Sequence, residues 1–217
     1  MIEIVSATRV NEDNFRYTPL GASLARLNFD TRLVHRIAYR NGNGLPLVYN
    51  ACIDAQSDSD ILLFIHDDVW IDDYFIADRI IDGLETYDVI GIAGNRTIPP
   101  NHEGWCFGDP INYSGSVAHA ATPFGEVTLV CSQRPPQPCE LLDGVLIASK
   151  RSKLLDRNVR FDPVFLFHFY DLDFCRRART AGLTLGTWPI AITHSSGGSF
   201  DQGWNDGFTI YKNKWNG

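Results

Sequence analysis

At 217 residues the chain is long enough to bury a core without disulfides or a structural metal. Its 44% hydrophobic and 21% charged residues are those of an ordinary globular protein. A net charge of −7 argues against a general nucleic-acid binder, which needs a basic face to displace counterions, and suits an anionic ligand that brings its own cation.

Ile2–Ala7 is an apolar run that predicts a buried first strand. A helix is expected from Pro19, where apolar residues recur at helical spacing, and a second strand over Thr31–Tyr39. Asn41-Gly42-Asn43-Gly44 is a turn, and Leu45–Gln56 a helix. Asp60–Ile65 predicts a third strand that runs straight into His66-Asp67-Asp68. An amphipathic helix over Asp72–Tyr87 and a strand over Asp88–Ala93 follow. From Asn95 to about Cys139 the chain is rich in Gly, Pro and small polar residues, with a hairpin-like part near Tyr113–Val130. Such an insert in an α/β chain is usually functional. Leu141–Ser149 reads as a strand, Arg151–Leu155 as a short helix, and Phe161–Phe169 as an aromatic loop. Asp171–Ala181 predicts a helix stopped by Gly182, and Leu183–Thr193 a strand ending at His194. Alternating strands and helices imply one α/β domain over residues 1–217, with a mostly parallel sheet flanked by helices and a loop-rich insert.

No run approaches the roughly 20 apolar residues of a membrane span. Met1–Val5 lacks the basic and apolar regions of a signal peptide. The five cysteines are odd in number and show no CxxC spacing, which disfavours zinc and a disulfide framework. Cys131 and Cys139 flank a proline-rich loop, but a cytosolic chain keeps such thiols reduced. We therefore expect a cytoplasmic protein, at most peripheral to a membrane.

Three segments carry chemistry. A buried strand ending in Asp67-Asp68 places two carboxylates beyond the carboxyl end of a sheet, where α/β proteins bind ligands. Adjacent carboxylates repel unless a cation joins them, so a divalent metal held at His66-Asp67-Asp68 is the functional reading. The bland one is a solvated turn, with Asp72 or Asp73 capping the next helix. Asp171 and Asp173 open a later helix, where the macrodipole favours them and Asp173 can pair with Arg177. A carboxylate there, beside aromatic residues, is also placed to act as a general base. His194 ends a strand and precedes Ser195-Ser196-Gly197-Gly198; imidazole there suits a transition metal such as manganese.

In this order the three segments resemble glycosyltransferase family 2 and the wider GT-A group. His66-Asp67-Asp68 is similar to the DxD-type motif, Asp68 matching its metal-binding carboxylate and Asp67 a neighbour at the ribose or sugar. Asn43-Gly44-Leu45-Pro46 with Asn50 resembles the segment before that motif. Tyr170-Asp171-Leu172-Asp173 sits where the family carries Glu-Asp; Asp171 matches the catalytic base and Tyr170 replaces the Glu. His194 matches a late histidine that completes the metal site. Ser6, Ala7, Thr8 and Arg9 stand where the family binds base and ribose, and Asn41 replaces its usual Asp after the second strand. Asp143 lies where relatives meet donor sugar or acceptor. Leu62–Val69 and Leu142-Asp143-Gly144-Val145 are similar to StrF-like bacterial proteins.

The resemblance implies a GT-A-like transferase that moves a sugar, with inversion, from a nucleoside-diphosphate donor to a hydroxyl of a glycan, lipid or small molecule. A divalent cation, Mn2+ or Mg2+, would be its cofactor. Trp105, Phe107, Tyr113 and Trp188 are candidates to stack on sugars, and Arg134, Lys212 and Lys214 to meet phosphate. Trp204–Trp215 has the character of a closing flap. A sugar nucleotidyltransferase is disfavoured, because Ser6–Asp13 lacks the glycines of a phosphate loop. A non-catalytic carbohydrate- or nucleotide-binding module and a phosphohydrolase remain the rival readings.

Overall fold

The computed structural model describes residues 1–101, 104–122 and 125–215, with only the backbone of Cys131. In chain order the elements are β1 (Ile2–Ala7), α1 (Glu12–Phe15), α2 (Pro19–Arg26), β2 (Leu33–Ala38), α3 (Leu45–Asp54), β3 (Ile61–Ile65), β4 (Val69–Ile71), α4 (Ile76–Thr86), β5 (Val89–Gly91) and β6 (Ala93–Asn95). After a 3-10 turn at Pro110–Asn112 come β7 (Tyr113–His119), β8 (Thr128–Cys131), β9 (Gln137–Pro138), β10 (Leu141–Leu142), β11 (Leu146–Lys150), α5 (Arg151–Asp156), α6 (Tyr170–Thr180), β12 (Leu185–Thr187), β13 (Ile192–His194) and α7 (Gln202–Trp215).

The main sheet runs β2-β1-β3-β11-β5-β12-β9. β1 pairs in parallel with β2 and β3, and β5 with β12, while β11 lies antiparallel between β3 and β5. With β9 also reversed against β12, β1, β2, β3, β5 and β12 all point one way, the mostly parallel sheet expected. Side chains of β3 alternate between two cores. Leu62 and Phe64 join Tyr49, Phe161 and Phe174 on one face; Leu63 and Ile65 join Leu20, Ile76 and Ile80 on the other. Burial on both faces is why β3 reads as an unbroken apolar run.

Local chemistry sets the elements. Thr18 accepts a hydrogen bond from the Gly21 N–H at 3.0 Å, and Pro19 opens α2. The second sheet, β10-β6-β7-β13-β4 with β8 on β7, takes β7 and β8 from the loop-rich insert, and these two form the hairpin near Tyr113–Val130.

Four expected elements are shortened or split; the strand over Asp88–Ala93 becomes β5 in the main sheet and β6 in the second sheet. The helix over Asp72–Tyr87 begins only at Ile76, and Val69–Ile71, just before the expected helix, forms β4. Asp72 and Asp73 do not cap it: their N–H groups bond the Ala191 carbonyl, and the Asp72 carboxylate takes the Thr193 hydroxyl at 2.7 Å. Leu141–Ser149 splits into β10 and β11 around Asp143-Gly144. Leu183–Thr193 splits into β12 and β13 in different sheets, with Pro189, which has no N–H for a ladder, in the gap. Cys139 is a free, buried thiol.

Candidate active site

Strand β3 delivers His66, Asp67 and Asp68 to the carboxyl edge of the main sheet. β4 then turns back into the second sheet and pairs antiparallel with β13, setting His194 opposite Val69. The Ser195 N–H donates to the Asp68 carbonyl at 2.9 Å. This pairing closes a sequence gap of more than a hundred residues and puts His194 Nε2 3.2 Å from Asp68 Oδ1.

His66 Nδ1 approaches the same oxygen at 4.0 Å, and ligand atoms of His66, Asp68 and His194 all lie within 4.8 Å of one another. His66 directly follows β3, and Asp67 and Asp68 form the turn into β4, so it is this turn that brings His66 and Asp68 together. Burial opposes ionisation of Asp68, but nearby His194 and then His66 bring its pKa down to about 2. Burial holds His66 below the usual histidine range, hence neutral and free to ligate.

Tyr170 sets the tautomer of His66. Its hydroxyl lies 2.8 Å from His66 Nε2 and donates to the Gly144 carbonyl at 2.9 Å. That carbonyl can only accept, so the single hydroxyl proton is taken, and His66 donates from Nε2. The lone pair then sits on Nδ1, toward Asp68. Phe167 stacks on the His66 ring, centroids 5.6 Å apart. His119, paired in register with His194, donates from Nδ1 to the Ser196 carbonyl at 2.9 Å and borders the same cavity.

Asp171 is the second residue of α6 and accepts the Gly144 N–H at 2.8 Å through Oδ2. Burial, and next the charge of Asp143, push its pKa up to about 7, against hydrogen bonds from the Gly144 and Leu172 backbone. Asp143 Oδ1 accepts the Val145 N–H at 3.0 Å. The expected Asp173–Arg177 pair is replaced: fully buried Asp173 meets Lys214 at 2.7 Å, and Arg177 meets Asp162 at 3.5 Å.

His66, Asp67, Asp68, Asp143, Asp171 and His194 line one cavity of about 600 Å³. Ala7, Thr8, Arg9, Asn41 and again Asp67 line a neighbouring one of about 770 Å³. Ser6 lines neither; it is fully buried within β1. Asn41 is engaged with its own turn, donating to the Asn43 carbonyl at 2.8 Å and accepting its N–H at 3.2 Å. Trp105 and Phe107 reach the first cavity, beside the carboxylates, and Phe200 and Trp204 join them. Tyr113 instead braces the insert through the carbonyls of Cys106 and Gly108, and Trp188 packs on Gly83. Arg134, Lys212 and Lys214 line neither cavity.

Does this donor set fit a metal? Asp68 Oδ1 is buried and accepts no hydrogen bond, yet it points between two imidazoles. An orphaned carboxylate oxygen beside two nitrogen donors fits a divalent transition ion better than calcium, which takes oxygen ligands.

A model of the glycosyltransferase-like family matches residues 22–198. The chain belongs to that family. Structural relatives share its fold at low identity. The protein A197 from STIV is 14% identical, with TM-score 0.51, over 88% of this glycosyltransferase-like chain and 82% of its own. Staphylococcus aureus TarS is 14% identical, with TM-score 0.55, over 90% of this chain but 36% of TarS. A mutant Drosophila β1,4-galactosyltransferase 7 in complex with manganese, UDP-Gal and xylobiose is 12% identical, with TM-score 0.50, over 93% and 77%. No curated protein matches the sequence. The fold is thus the GT-A-like one that the motifs implied, and among the described residues no helix is long and apolar enough to cross a membrane.

Proposed function

We propose that the protein transfers a sugar from a nucleoside-diphosphate donor to an acceptor hydroxyl, with inversion and with a divalent metal. The observation that carries this is one cavity wall holding both halves of the chemistry: the His66–Asp68–His194 donor set and the Asp143–Asp171 carboxylates. Asp67 borders both cavities, so a nucleotide lying against Thr8, Arg9 and Asn41 can present its diphosphate to the donor set. UDP in a TarS complex and UDP-Gal with manganese in the galactosyltransferase support the same use of this fold. The likeness of Leu62–Val69 and Leu142–Val145 to StrF-like proteins supports a bacterial-type subgroup.

In this reading Asp68, His194 and His66 hold the cation, Mn2+ in preference to Mg2+ because two of the three donors are imidazoles. When bound there, it would neutralise charge on the departing nucleoside diphosphate. Asp171 receives the proton of the acceptor hydroxyl, its carboxylate aimed by the Gly144 N–H. Asp143 faces the same space and is placed to accept a hydroxyl of donor or acceptor. The part-buried indole and phenyl rings of Trp105 and Phe107 offer apolar faces to a sugar.

Calorimetry with UDP, GDP and dTDP, with and without Mn2+, tests the reading. The wild type should bind at least one nucleotide only with the metal present. Asp68→Ala should abolish that binding, and Asp171→Asn should keep it while losing transfer by about a hundredfold or more. Metal-independent binding, or none, would overturn the proposal.

A further inference from the structure

We propose that Phe169 is the positioning residue for Asp171, held in place by the C-terminal helix α7; this rests on the reading of Asp171 as the base. Phe169 immediately precedes α6 and adopts φ +66° and ψ −1°, the left-handed region. A bulky residue reaches that conformation only when its surroundings impose it. Its ring is buried and lies against Trp204, Phe208 and Tyr211, with centroids 5.3, 6.0 and 5.4 Å away. Those three follow one face of α7.

The approach is close. A Cβ added to Gly207 would lie 2.9 Å from Phe169 Cδ2. Beyond it, α7 is tied to α6 by Lys214 and by the Trp215 indole, which donates to Asp173 at 2.9 Å. Thus α7 grips α6 just before its first residue and again one turn in, with Asp171 between. The Phe169 carbonyl accepts the Asp173 N–H at 3.0 Å, so its backbone setting aims the first turn. That turn carries Asp171 to the Gly144 N–H, and Tyr170 to Gly144 and His66. The tail is then a fixed buttress of the site and not a detachable flap.

Exchange of the Gly144 amide hydrogen, followed by NMR on the full chain, reads Asp171's placement without turnover. Phe169→Ala loses the ring and keeps the conformational penalty; Phe169→Gly loses the ring but adopts the left-handed region freely. Positioning predicts that exchange at Gly144 speeds up about tenfold in Phe169→Ala and stays within about threefold of wild type in Phe169→Gly. A packing role alone predicts equal effects or a worse glycine, and either result overturns the proposal. Should Phe169→Ala not fold, Gly207→Ala decides: alanine favours the helix but crowds the Phe169 ring. It should speed Gly144 exchange severalfold, and unchanged exchange refutes the idea. UDP calorimetry with Mn2+ runs beside these. A wild type that ignores UDP, GDP and dTDP would sink the transferase reading alone, while the Gly144 comparison still decides whether Phe169 sets Asp171.

Discussion

The proposed function asks Asp171 to act as a base in surroundings that favour its neutral form. Its pKa of about 7 arises first from burial and then from the charge of Asp143. A base works ionised, so kcat/KM for transfer should fall as pH drops through about 7. Removing the Asp143 charge removes one of the two raising influences. Asp143→Asn should therefore move the acid limb of the kcat/KM profile to lower pH; an unmoved or raised limb contradicts the assignment of Asp171. In the proposed reading Tyr170 leaves the base free and supports the metal side through its contact with His66. One helix turn thereby serves both halves of the site.

At the level of elements, the decisive feature is the break between β10 and β11. Asp143-Gly144 interrupts an otherwise apolar run, and the interruption lets α6 approach. A Cβ at Gly144 would collide with the Tyr170 hydroxyl and lie 2.8 Å from Asp171 Cβ. Gly144→Ala should cost about 1–3 kcal/mol of stability through overpacking. It should also lower turnover sharply, because both residues of the first turn must move. Paired denaturant and kinetic measurements check this, and normal turnover in a stable variant would contradict it. Likewise, short β4 aligns Asp68 with His194.

Over the whole molecule, two apolar cores sandwich the main sheet, and a buried ion pair stitches the chain's beginning to its second half. Glu3 and Arg151 are 3% and 5% exposed and paired to one another, and Arg151 also donates to the Cys52 and Ala55 carbonyls. Arg151→Met leaves Glu3 buried, with half-exposed Arg36 as its partner among the described residues. It should lower stability by about 3 kcal/mol or more in urea titration, and adding Glu3→Gln should restore part of that. An unchanged urea midpoint would show the pair to be dispensable.

Much of this was legible in the residues alone. Ile2–Ala7 and the Leu45 helix start match β1 and α3, and the turn at Asn41–Gly44 precedes that helix. Asp67-Asp68 and Asp171 could be singled out because carboxylates at a strand end and a helix start face ligand-binding edges. Composition and periodicity report burial and local conformation, and these are properties of neighbours along the chain. Which distant groups meet was decided by tertiary structure. His66 joins Asp68 and His194, Tyr170 directs the His66 lone pair, and α7 holds Phe169 only because the second sheet and the C-terminal helix fold back across the main sheet. No local period encodes those meetings; they follow from packing two cores and pairing β4 with a strand more than a hundred residues away.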